Sequence, residues 1–185
     1  MRLSATSYYS DYVLYPTLAT TLSAAALATT PFEQWGLWTL SFAAGAATWT
    51  FAEYNLHRWV LHHVPYMRDM HGAHHSDQRA LIGTPSWLSL AIVLILVLLP
   101  AILLAGFSYG AGFTAGIALG YFLYIMVHHG VHHWRLRPGS HMYQLKHRHA
   151  LHHHFNDEGN YGVTSGFWDK VFGTDIKLGH ERRRA

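Results

Sequence analysis

The chain has no cysteine among its 185 residues. That absence excludes disulfide frameworks, zinc-thiolate sites and cysteine nucleophiles, and it leaves imidazole and carboxylate as the side chains able to hold a metal. Charge is scarce as well. Only 12% of the residues are Asp, Glu, Lys or Arg while 50% are hydrophobic, a balance that belongs to membrane proteins. The formal charge of +3 comes without a long basic patch interleaved with aromatics, so no nucleic-acid partner is expected. The start of the chain also lacks a short apolar core followed by a small-residue cleavage site, which predicts that the N-terminus is retained.

What the chain does have is apolar runs and histidines. Uncharged or nearly uncharged stretches occupy about 13–30, 36–56, 87–107 and 110–128. At 1.5 Å per residue, roughly twenty helical residues cross the hydrocarbon core of a bilayer. Pro31 and Glu33 separate the first two runs, and Thr84-Pro85 reads as an N-cap followed by proline in the first turn of the third. Pro100 predicts a kink within that third run, and Ser108-Tyr109-Gly110 predicts a turn after it. Gly112, Gly116 and Gly120 recur every four residues, a stripe that permits close helix approach. All thirteen Lys and Arg lie in the N-terminal tail, in 58–84 or after His128. With four spans, the positive-inside rule then puts both termini on the cytoplasmic side. The expected fold is all-α: an integral membrane bundle of four transmembrane helices under a cytoplasmic, histidine-rich helical cap, forming one domain over 1–185.

The segment from His57 to His75 holds six histidines in nineteen positions immediately after an apolar run. A second histidine-rich group, from His128 to His154, begins where another apolar run ends. His71 with His74 and His75, and His149 with His152 and His153, repeat a spacing of three and four. His128 and His132 are four apart, and His57 and His62 five. Positions three and four apart share a helix face, so each group can aim several imidazoles at one point. Neutral imidazole binds iron, zinc, copper or nickel, and about ten such groups could fill the shells of two metal ions. No other catalytic side chain is required. His63, His129, His133, His141, His147, His154 and His180 fall outside the repeated pattern, although adjacency leaves open which of His128/His129 and His132/His133 face a metal. Glu53, one turn before His57, is a candidate to orient it through the imidazole N–H that does not face the metal. Asp77, Asp157 and Asp169 are similar candidates.

A metal site at the mouth of apolar helices suits a lipid whose chain lies among them. Breaking an unactivated C–H bond requires redox chemistry, which favours iron with O2 over zinc, though zinc can occupy the same imidazoles in a purified sample. A metal transporter or metal-binding membrane protein is the competing class. It is disfavoured because the cores of the four spans hold no ionisable residue near the midplane.

The motifs HRWVLH (57–62), HGAHH (71–75), HHGVHH (128–133), HALHH (149–153) and NYGVTSGFWDKVFGT (160–174) resemble the fatty acid hydroxylase and sterol desaturase superfamily, and most closely its fatty acid hydroxylase branch. The resemblance covers about His57 to Thr174. It implies two iron ions that use O2 as cosubstrate to hydroxylate the acyl chain of a fatty acid or lipid, with a sterol or carotenoid hydroxylase or desaturase as the alternative. Carried over by position, the ligands are His57, His62, His71, His74, His75, His128, His132, His149, His152 and His153. His129 stands where an aromatic residue is common. Fungal and animal fatty acid 2-hydroxylases often carry a fused cytochrome b5 domain, for which 185 residues leave no room. The expected electron source is therefore a separate protein, either cytochrome b5-like or a ferredoxin with its reductase. In NYGVTSGFWDKVFGT, Phe167, Trp168 and Phe172 read in addition as an anchor at headgroup level.

Overall fold

A computed structural model describes residues 2–176 and is helical: among these residues the only strand-like pairing is an isolated antiparallel bridge between Arg2 and Ile82. Ala5–Tyr9 forms α1, which opens with the Ser4 hydroxyl accepting the Ser7 N–H at 3.2 Å, so a side-chain oxygen meets one of the donors a helix start leaves free. Two long apolar helices follow, α2 (Asp11–Thr29) and α3 (Trp35–Asn55). α3 runs without a break into a π turn, Leu56–Leu61. Pro65–Ser76 forms α4, with the proline in its first turn, where its missing N–H costs nothing. α5 (Ser86–Val93) passes through a second π turn, Leu94–Leu98, into α6 (Leu99–His133). α7 (His141–His154) is capped by Ser140, and α8 is the short helix Phe167–Val171.

The reversal expected at Ser108-Tyr109-Gly110 lies instead at Gly106, while those three residues are helical. Gly106 has φ 76° and ψ 170°, a region that glycine enters without a Cβ penalty. A Cβ built on Gly110 would sit 2.6 Å from the Ile102 nitrogen, yet residues eight apart in a straight helix are about 12 Å apart. The chain therefore folds back at Gly106, and 86–105 packs antiparallel to 107–133. Pro100 lies just past the wide turn Leu94–Leu98, where the i−4 ladder that a proline cannot complete is already relaxed. Ser86–His133 is long and apolar enough to cross a membrane, and only 6% of its most apolar window is buried. Leu103 and Leu104 are 76% and 88% exposed, apolar surface of a kind that a hydrocarbon environment would cover.

The second leg of α6 packs between α2 and α3. On the α3 side, a Cβ on Gly116 would come within 2.0 Å of the Phe42 carbonyl oxygen, and one on Gly45 within 2.0 Å of the Phe113 oxygen. These contacts bring the two backbones together, as the glycine spacing predicts. On the α2 side, Tyr15 and Ala19 meet Ala115, Ala118 and Val93 in a buried cluster. The C-terminal ends of α3 and α6 therefore emerge at the same end of the bundle. The start of α2 joins them there: the Tyr12 hydroxyl donates to the Ile125 carbonyl at 3.1 Å, and the Tyr8 hydroxyl lies 3.2 Å from Nδ1 of His129.

Gly116→Val forces its side chain into the Phe42 backbone, and overpacking of this kind costs about 1–3 kcal/mol. The expected result is a clear fall in Tm in detergent micelles. Gly36→Ala, where nothing lies within 4 Å of the added Cβ, leaves Tm level or slightly raised.

Candidate metal centre

Four elements deliver imidazoles to one end of the bundle. His57 enters from the π turn after α3, and His62 follows as that turn ends. On an α-helix, residues five apart point well away from each other. The i→i+5 pairing of a π turn brings them back together, and the two rings sit 5.3 Å apart, 31° from parallel. α4 contributes His71, His74 and His75, α6 contributes His128 and His132 from its last turns, and α7 contributes His149, His152 and His153.

Ring nitrogens from these residues form two groups of four, His57, His62, His71 and His152 in one and His74, His132, His149 and His153 in the other, with the chosen nitrogens of each group within 4.8 Å of one another. In the first group, Nε2 of His57 is 3.0 Å from Nε2 of His71. Nε2 of His75 adjoins the same group, 3.0 Å from His71 and 3.1 Å from His152. In the second, Nε2 of His149 lies 2.9 Å from His132 and 3.0 Å from His153, and His128 adjoins through His74 at 3.1 Å. The rings of His75 and His153 stack at 4.1 Å and join the two groups. All ten histidines singled out by their spacing thus face one region.

The others stay outside it. His63 turns back to the Arg58 carbonyl, His154 pairs with Gln78 at the surface, and His129 and His133 stack on each other. His141 and His147 are exposed, and His180 lies outside the described residues. Of each adjacent pair in HHGVHH, His128 and His132 are the ones turned inward.

The donor set fits metal ions. A neutral imidazole carries one N–H. His57 spends its own on the Tyr161 carbonyl, Nδ1 to O at 2.6 Å, and His152 on the Gly159 carbonyl at 2.8 Å. Their inward Nε2 atoms are therefore bare lone pairs. Nε2 of His62 is buried with no hydrogen-bond partner. Lone pairs converging at about 3 Å repel unless a cation sits among them, and metal–nitrogen bonds of 2.0–2.1 Å in a tetrahedron put ligand nitrogens about 3.3 Å apart.

Protonation is suppressed in the same way throughout. Burial, and after it the neighbouring His75, pulls His74 down to about 4. Burial followed by His62 does the same for His75, also to about 4, and burial followed by His74 brings His132 to about 3. Burial lowers His152 to about 3 despite its bond to Gly159, which acts the other way. His71 and His153 are lowered further, again chiefly by burial. At neutral pH these imidazoles are uncharged, the form that binds metals.

The carboxylates act at one remove. Glu53 makes no hydrogen bond to His57. Its Oε1 accepts the N–H groups of Val163 and Thr164 at 2.7 and 2.8 Å, and the Thr164 hydroxyl donates to its other oxygen. Asp169, fully buried, accepts the N–H groups of Tyr161 and Gly162 at 2.8 and 2.9 Å and pairs with Arg148 at 3.1 Å. Between them they fix the 161–164 backbone, and with it the carbonyl that orients His57. Asp77 instead pairs with Arg2 at the surface at 2.8 Å, and Asp157 is exposed and reaches His62 and His75 only through its field.

Sequence reasoning missed the carbonyls of Tyr161 and Gly159, because backbone acceptors carry no residue signature. It also passed over Arg148. An arginine set between His147 and His149, with Asp169 and Asp175 downstream, was the available signal. The Trp168 indole donates to Thr50 at 3.0 Å and Phe172 stacks on Tyr54. The aromatic segment therefore clasps the end of α3, while Phe167 and Phe172 remain 57% and 46% exposed.

Beside the histidines lies a cavity of about 470 Å³, within the usual range for a small-molecule site. His57, His71, His74 and His128 form one wall, and apolar residues such as Leu88, Ile92 and Val93 another. Trp49, Leu56, Ile92 and Val93 also border an apolar groove of about 550 Å³ between α3 and the 86–117 hairpin.

Ten inward imidazoles next to an apolar cavity make a histidine-rich site with the donors to hold metal ions. Residues 42–174 match the family model for fatty acid hydroxylase, and the chain belongs to that family. It is 35% identical over 154 residues to the ceramide very long chain fatty acid hydroxylase of Schizosaccharomyces pombe, covering 76% of this chain and 44% of that one. It is 34% identical over 173 residues to the dihydroceramide fatty acyl 2-hydroxylase of Arabidopsis thaliana, covering 86% and 69%. The Saccharomyces cerevisiae ceramide very long chain fatty acid hydroxylase is 35% identical over 72% of this chain and 37% of its own length. The chain thus spans less than half the length of the two yeast relatives. Among solved structures, the hydroxylase domain of full-length scs7p superposes with a TM-score of 0.78 at 27% identity, over 92% of this chain and 67% of that one.

Because the buried histidines of the folded state refuse protons that the unfolded chain accepts, their contribution to stability is complete above pH 6.5 and is lost as pH falls from 6.5 through about 4 to about 3. Metal-free protein in detergent is expected to show a level Tm above pH 7 and a steep decline across that window. Glu53→Ala releases the 161–164 loop and weakens metal retention about 10–100-fold, as losses around a ligand shell do; chelator competition measures it.

Proposed function

We propose that the chain is an integral-membrane di-iron monooxygenase that hydroxylates the acyl chain of a lipid, with ceramide-type lipids the first candidates because the relatives are named for them. The observation that carries this reading is the pair of four-imidazole groups opening onto an apolar cavity. His57, His62, His71 and His152, together with His75, would hold one iron, and His74, His132, His149 and His153, together with His128, the other. Bound there, the metals supply the O2-dependent redox chemistry that side-chain acids and bases lack.

The chain's own residues do the rest. Tyr161 and Gly159 keep the protons of His57 and His152 on the outward nitrogens. Glu53, Asp169 and Arg148 hold the loop that carries the Tyr161 carbonyl. Leu88, Ile92 and Val93 line the path of an acyl chain and exclude water from the wall opposite the histidines.

In this reading α2, α3 and the two legs on either side of Gly106 are four membrane spans. All thirteen Lys and Arg then lie on one side, which favours a cytoplasmic metal site and cytoplasmic termini. Electrons would come from a cytochrome b5-like carrier or a ferredoxin with its reductase.

Expressed with a suitable reductase, the wild-type chain should yield membrane lipids whose acyl chains gain one oxygen by mass spectrometry. His74→Ala should lower that product at least about 10–100-fold. Acyl chains that lose two hydrogens, or oxygenated isoprenoids, would point to the desaturase or carotenoid alternative. Metal uptake that depends on His74 while every lipid stays unchanged defeats the enzyme reading.

A further inference from the structure

The lining of the same cavity also holds a polar group that the metal chemistry does not use. Asp11 lines the cavity and is only 6% exposed. Its Oδ2 accepts the Tyr121 hydroxyl at 2.8 Å, whereas Oδ1 is buried with no hydrogen-bond partner. Tyr15 lines the cavity too, and its hydroxyl is buried.

Asp11 opens α2, and a negative charge is favoured in a helix's first turn. That preference does not account for the free oxygen, because Asp11 caps no backbone N–H of its helix and bonds only to Tyr121. A buried acceptor left unmet is costly, and a carboxylate offers acceptors alone. The missing partner is therefore a donor. Tyr121 precedes His128 by two helical turns, about 10 Å, so a group held at Asp11 sits within reach of the histidine wall.

We infer that Asp11, oriented by Tyr121, is a specificity residue that accepts a hydrogen bond from an N–H or O–H of the lipid head, so that the acyl group is taken as an uncharged amide-linked lipid rather than as a free carboxylate. A fatty acid presents a second anion and no donor to Asp11. An N-acylated amino alcohol presents an amide N–H and hydroxyls. This rests on the acyl-hydroxylase reading, but its test reads binding as well as turnover.

Full-length protein carrying iron, in detergent micelles, is titrated with two fluorescent probes of equal chain length, an N-acylated long-chain amino alcohol and a free fatty acid. Asp11→Leu should raise Kd for the amide probe about tenfold or more and leave that for the fatty acid unchanged or lower. Asp11→Asn, which keeps one carbonyl oxygen, should fall between wild type and Asp11→Leu, and Tyr121→Phe should show a smaller loss of the same sign. With the reductase present, Asp11→Leu should raise KM for the amide lipid more than it lowers kcat.

Iron content and Tm close to wild type establish that a variant is folded, and Asp11→Asn carries the test if Asp11→Leu is not. Equal weakening of both probes means a purely structural aspartate and overturns the assignment. No change in either probe means that Oδ1 holds only a water, with the same consequence. A wild-type chain that binds the amide probe through Asp11 yet oxidises no lipid sinks the hydroxylase reading and leaves the role of Asp11 standing.

Discussion

A lone pair must face inward from every imidazole of the two groups, and most of the structure around them serves that condition. An imidazole can be turned only if its other nitrogen is given something to hold. For His57 and His152 that partner is a main-chain carbonyl, and a carbonyl points where its loop points. The segment from Tyr161 to Thr164, which carries the first of these carbonyls, is in turn fixed by two buried carboxylates from different parts of the chain, Glu53 on α3 and Asp169 on α8. The ordering is thus hierarchical: carboxylates set backbone, backbone sets imidazole, and imidazole sets the place where a metal fits. Burial adds the second half of the condition by keeping the rings uncharged, since moving so many cations into one desolvated region would cost far more than the fold can supply.

Much of this was legible in the sequence because it is written in side chains. The i, i+3, i+4 spacing of His71, His74 and His75, and of His149, His152 and His153, is a property of helix geometry and needs no tertiary information. The same holds for the four apolar stretches and for the glycine stripe. What escaped has a common cause. The π turn that reconciles His57 with His62 is a choice between hydrogen-bond ladders that local propensity does not separate. The reversal at Gly106 competed with a more turn-like Ser-Tyr-Gly two residues on, and only the close pairing of Gly110 with the backbone at Ala101 and Ile102 decides it. The role of Glu53 was misplaced by one link, because a carboxylate one turn from a histidine is as close to that histidine's supporting loop as to the ring itself.

The cavity shows the same division of labour between polar and apolar walls. One side is imidazole, another is aliphatic, and a third carries Asp11, Tyr15 and Tyr121. Apolar walls tolerate many chains and distinguish them weakly, whereas a buried polar group rejects what fails to complete it by a much larger factor. In the proposed acyl-hydroxylase, discrimination among lipids that share a tail is therefore expected to reside in the few polar contacts rather than in the length of the groove.

The glycine contacts between α3 and α6 have a bearing on chemistry that lies well beyond packing. α3 leads into His57 and His62, and α6 ends in His128 and His132, so the two helices carry members of different imidazole groups. Where backbones touch with no side chain between them, as at Gly45 against Phe113 and Gly116 against Phe42, there is no soft material to let one rod slide along the other. A slip of one residue would displace its imidazoles by about 1.5 Å, a large error against bonds of about 2 Å. The stripe works as the alignment key of the assembly, setting at mid-bundle the tolerance to which the two groups of imidazoles are brought together at its end.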